Sequence, residues 1–98
     1  MLSISAEICL SIQRALLDVV TPSLRRVSFT LMDHLITVYF IYDAEITELE
    51  EELAGGAEAE IIADFPGDYM ICLNLKREPF PKKISSEGQI VFNRYEEI

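Results

Sequence analysis

The chain is poor in the residues from which most catalytic and metal sites are built. Its 98 residues include one histidine, His34, and two cysteines, Cys9 and Cys72. A structural zinc site needs about four Cys or His ligands, and these three are scattered, so no metal is expected. A Ser or Cys nucleophile needs a base beside it, and His34 falls in a predicted turn instead. Each cysteine sits in an apolar run far from the other, which reads as two buried thiols acting as small hydrophobes rather than as a disulfide. No glycine-rich phosphate loop is present, because Gly55-Gly56 has neither the spacing nor the preceding strand. Carboxylates are abundant, but a calcium loop sets acids at alternate positions around a glycine, whereas "ELEEEL" reads as helix and points adjacent acids in different directions. A paired-carboxylate enzyme is the one catalytic alternative left. The expectation is a protein without catalytic residues and without a cofactor.

Basic residues are equally scarce. Eight Lys and Arg stand against 17 Asp and Glu, a net charge of −9. Solubility alone asks for a magnitude of roughly 2 to 8 in a small domain. Phosphate backbones and anionic bilayers carry the same sign, so direct contact with nucleic acid or membrane is disfavoured and a cationic protein partner is favoured. Long apolar runs are missing too. The N-terminal "MLSISAEICLSIQRALLDVV" has no basic leader and is interrupted by Glu7, Arg14 and Asp18, which fits neither a signal peptide nor a spanning helix. A cytoplasmic location is expected. The length suits one domain over residues 1–98 with a single core, and an apolar half with a charged quarter is a folded composition.

The hydrophobic pattern gives the order of elements. Ile4, Ile8, Ile12, Ala15, Leu16 and Val19 recur three and four apart, the stripe of a helix capped by Ser3 or Ser5 and stopped by Thr21-Pro22. The period then becomes two. Val27, Phe29 and Leu31 alternate with Arg26, Ser28 and Thr30, and Ile36, Val38 and Phe40 with Thr37, Tyr39 and Ile41, a hairpin turning at Asp33-His34. Thr47 and Glu50 have the spacing of a capping box opening a second helix. Its apolar line is Ala54, Ala57, Ile61 and Phe65; Gly55-Gly56 invites a kink, and Pro66-Gly67 ends it. "YMICLNLKR" and "GQIVFNRYEE" supply two more strands, separated by a loop containing two prolines. The expected fold class is α+β: order αββαββ, a four-stranded antiparallel sheet with both helices packed on one face.

One feature exceeds what solvation needs. From Val27 to Leu75 the chain carries eleven acids and no Lys or Arg. Acids near a helix N-terminus interact favourably with its dipole, but like charges four apart, such as Glu48 and Glu52, repel. A surface that tolerates this repulsion suits a positively charged partner. The segments "LRRVSF", "VYFIYDAEITELEEE" and "AEIIADFP", in this order, resemble a family of small acidic bacterial αββαββ proteins that includes immunity proteins of contact-dependent growth inhibition and other polymorphic toxin systems. The resemblance spans roughly residues 15 to 95. It implies a non-enzymatic inhibitor of a cognate toxin domain, nuclease-like and basic, acting as a monomer or weak homodimer. The acids expected to meet that partner are Asp43, Glu45, Glu48, Glu51, Glu52 and Glu60; Tyr39, Tyr42 and Tyr69 are candidates either for its anchors or for the core. The alternative is a generic adaptor or homodimerising module that uses its exposed sheet face.

Overall fold

The computed structural model describes residues 2–85 and 88–97. Helix α1 (Ile4–Ala15) begins where Ser3 Oγ accepts the Ala6 N–H at 3.2 Å. It is shorter than its apolar stripe: the helix stops at Ala15, and Asp18 takes a positive φ of 65°. Leu16 and Val19 nonetheless remain in the core. Strands β1 (Leu24–Met32) and β2 (Leu35–Tyr42) form the expected hairpin, with Met32 opposite Leu35 and the turn at Asp33-His34. Helix α2 (Glu48–Asp64) runs through Gly55-Gly56 without interruption. Strands β3 (Met70–Arg77) and β4 (Gln89–Asn93) complete the sheet.

The sheet is mixed, which corrects the expectation of a purely antiparallel one. Its spatial order is β3-β2-β1-β4, so the strands do not lie in chain order. β1 pairs antiparallel with β2 and with β4, whereas β2 and β3 are parallel, from Leu35 opposite Met70 to Tyr42 opposite Arg77. Lengths explain the parallel pair. Helix α2, 17 residues long, spans about 25 Å at 1.5 Å per residue. Strand β2, with eight residues, spans about 26 Å at 3.3 Å per residue. The helix therefore returns the chain to the end of the sheet where β2 began, and the next strand must run beside β2 in the same direction. This is a β-α-β crossover, the connection that parallel strands require.

Both helices cover one face of the sheet and share one core. Ile8 and Ile12 from α1 and Ala54, Ala57 and Ile61 from α2 pack with Val27, Phe29, Ile36, Val38, Phe40 and Tyr42. Small residues at the centre of α2 let it lie close to the strands. The opposite face carries no helix. Its rows, read in register across β1, β2 and β3, are Met32–Leu35–Met70, Thr30–Thr37–Cys72, Ser28–Tyr39–Asn74 and Arg26–Ile41–Lys76. No acid occurs in those rows. Cys72 is exposed there and Cys9 is half-buried, so the expectation of two buried thiols is corrected.

Candidate protein-binding surface

The acids expected to meet a partner divide into three groups. Glu48, Glu51 and Glu52 open α2 and are exposed, with Glu45 exposed just before the helix. The capping box places this cluster: Thr47 Oγ1 accepts the Glu50 N–H at 3.1 Å, and Glu50 Oε1 accepts the Thr47 N–H at 3.1 Å. With the helix start fixed in this way, Glu50 turns inward while its neighbours turn out. Glu50 is buried and also accepts a hydrogen bond from the Thr21 hydroxyl at 2.5 Å. Burial of Tyr42 itself, and after it the Glu50 charge, push the Tyr42 phenol up to about 12. Tyr42 is a core residue, so it is not an exposed anchor, whereas Tyr39 and Tyr69 are half-buried.

Glu60 is exposed but lies apart from that cluster. Eight residues beyond Glu52, it is about 12 Å further along the helix. It sits beside Asp64, which accepts hydrogen bonds from Ser11 at 2.6 Å and Arg14 at 3.0 Å and so faces α1. Asp43 departs from the expectation of a free acid. Its Oδ1 accepts the Phe80 N–H at 2.7 Å and its Oδ2 faces Arg94 at 3.3 Å. The Phe80 amide, aided by Arg94, holds the Asp43 carboxyl below the usual range. Its charge therefore serves the loop closure, unlike Glu45, Glu48, Glu51, Glu52 and Glu60, which make no ion pair with any described residue.

The cations collect around the start of β1 and the end of β4, at the same end of the sheet as the start of α2. Arg25, Arg26, Lys82, Lys83 and Arg94 line a cleft of about 410 Å³ with Phe80, Asn93 and Glu96. Much of this charge is answered inside the chain. A register shift between Leu24 and Arg26 accompanies the burial of Arg25, which bonds Glu96 and the carbonyls of Glu78 and Lys82. Arg94 pairs with Asp43 and Glu96. Ion pairs thus gather at the cleft and between Asp64 and Arg14, whereas the acids at the start of α2 make none with any described residue.

Sequence reasoning missed two exposed apolar residues on α2, Leu49 and Ile62, at 59% and 50% exposure. Leu49 stands among Glu45, Glu48 and Glu52. The available signal was the position of Leu49 off the Ala54–Ala57–Ile61 line, which turns its side chain outward. Among the described residues no group of His, Cys, Asp and Glu is arranged to hold a metal ion, and no helix is long and apolar enough to cross a membrane.

The chain belongs to the MafI2 immunity protein family, whose model matches residues 5–96. It is thereby an immunity protein of a polymorphic toxin system, as the sequence resemblance implied. No curated protein matches the chain.

Proposed function

We propose that the protein binds a cognate toxin domain, without chemistry of its own, by setting the start of α2 against a positively charged groove, and that this toxin is a nuclease. The carrying observation is that Glu45, Glu48, Glu51 and Glu52 crowd one helix start and make no ion pair with any described residue. Glu60 extends the charge along the helix. A nuclease cleft is positive because it must hold phosphates, and an acidic protein can occupy the same field. Opposite charge raises association rates toward roughly 10⁸–10⁹ M⁻¹s⁻¹ at low salt. Affinity then needs an apolar anchor that is desolvated on contact. Leu49, exposed among the acids, fits that role.

The test is to mix the purified protein with the C-terminal domain of the toxin encoded beside its gene, and to follow cleavage of RNA and of DNA. A stoichiometric complex that abolishes cleavage supports the reading. A complex with a toxin that cleaves neither substrate contradicts the nuclease assignment, and absence of a complex contradicts toxin binding.

A second reading, a homodimerising module, is favoured by Met32, Leu35 and Met70. These are neighbours in register on the open sheet face and are 73%, 40% and 68% exposed. Sedimentation across a wide concentration range separates the readings: a dimer that disappears in Met32→Lys supports this one.

A further inference from the structure

Strand β3 is an edge strand, eight residues long and free of proline. Met70 N donates to His34 O at 2.8 Å and Glu78 N to Tyr42 O at 2.8 Å. Even-numbered residues of β3 therefore turn their amides and carbonyls toward β2. Those of Ile71, Leu73, Leu75 and Arg77 point the other way, where the sheet has no further strand among the described residues. Such an edge is a template for another strand.

The side chains give the same indication. Ile71, Leu73 and Leu75 face the core in register with Ile36, Val38 and Phe40, yet they are only half-buried, whereas their β2 partners are fully covered. The core is unfinished along this margin. Above it lies one flank of α2. Asp64 faces α1 through Ser11 and Arg14. The line Glu51, Gly55, Glu58 and Ile62, spaced four, three and four residues apart, lies on roughly the opposite flank. Ile62 is exposed, and nothing stands within 4 Å of where a Gly55 Cβ would be.

We infer that the free edge of β3 receives a β-strand from the toxin domain, with aliphatic side chains covering Ile71, Leu73 and Leu75 and a Lys or Arg reaching Glu51 or Glu58. This rests on the toxin-binding reading above. Main-chain hydrogen bonds supply affinity in such an addition, and side-chain pockets supply selectivity. Charge decides the occupant. A second copy pairing through its own β3 would bring Glu51 and Glu58 of both molecules onto the same side of one continuous sheet, where like charges repel. A cationic toxin strand meets the same flank with opposite charge.

Amide hydrogen exchange tests the inference on the unaltered protein, alone and with the toxin domain encoded beside its gene. In the free protein the Leu73 and Leu75 amides should exchange faster than those of Cys72, Asn74 and Lys76. In the complex the Ile71, Leu73, Leu75 and Arg77 amides should slow by about 100-fold or more. A complex in which these four exchange as in the free protein overturns the edge while leaving toxin binding intact. No complex at all defeats the toxin-binding reading, and the edge with it. Leu73→Pro removes an outward N–H that faces no further strand among the described residues, a position where an edge strand tolerates proline. It should stay folded by circular dichroism and bind at least about tenfold more weakly. Folded Leu73→Pro that binds as tightly as the parent overturns the inference, and if the variant unfolds, the exchange experiment decides.

Discussion

Arg25 and Glu96, 71 residues apart in the chain, form a two-pronged ion pair: Nε to Oε2 at 2.7 Å and Nη2 to Oε1 at 2.8 Å. Arg25 is 3% exposed, and its second Nη holds the Glu78 and Lys82 carbonyls at 2.7 and 2.9 Å. One buried guanidinium therefore ties β1, the loop after β3 and the C-terminal segment together. Phe80 stacks 5.6 Å from the guanidinium carbon.

This pair makes stability sensitive to acid. The hydrogen bond from Arg25, with a further one from Arg94, lowers the Glu96 pKa to about 2. A depressed carboxyl contributes fully above its ordinary value near 4.5 and loses that contribution as pH falls toward about 2. Glu96→Gln should cost about 1–3 kcal/mol at pH 7, because it leaves a buried cation short of its partner. The slope of melting temperature between pH 5 and 2 should flatten without vanishing, since Asp43, Asp64 and Glu78 are lowered as well. Thermal melts of both proteins across that window check it, and parallel curves would count against the ion pair.

Adjacent glutamates on α2 should behave oppositely. Glu50 is buried, caps the helix and accepts the Thr21 hydroxyl, so Glu50→Ala should destabilise by about 2–3 kcal/mol in urea titrations. Glu51 is exposed, and Glu51→Ala should change stability by less than about 0.5 kcal/mol. Equal effects would mean that the helix start is not organised by this cap.

The glycines offer a second contrast. Nothing lies within 4 Å of a Cβ placed at Gly55 or Gly56, so Ala at either should stabilise by about 0.4–1 kcal/mol through helix propensity. Gly88 has φ +86° and would set a Cβ 2.1 Å from the Phe29 carbonyl oxygen. Gly88→Ala should therefore destabilise by more than about 1 kcal/mol. Denaturant midpoints of the three variants check both signs.

Local chemistry was legible in the sequence, and long-range pairing was not. Ile8, Ile12, Val27, Val38, Ala57 and Ile61 are core residues because period and burial coincide, and Thr47 with Glu50 announced the helix start. The parallel β2–β3 pair escaped because alternation within a strand carries no information about which neighbour it takes or in which direction. The helix-length argument would have supplied it. Nothing local in the sequence marks Arg25, beside Arg26 at a strand start, as buried. Its burial depends on a register shift and on Glu96, 71 residues away, which no local pattern encodes. Among the acids, exposure followed from helical phase, but Asp43 is held by a loop contact with Phe80 that spacing cannot show.

The central claim is electrostatic, and the ionic-strength dependence of association tests it most directly. Stopped-flow rates for a cognate toxin domain with the parent protein should fall steeply from about 10 to 500 mM salt, as screening shortens the reach of the charges. The charge-reversed variant Glu48→Lys, Glu51→Lys, Glu52→Lys should associate at least about tenfold more slowly at low salt and converge on the parent at high salt. Equal rates for the two proteins at every salt concentration would contradict the account.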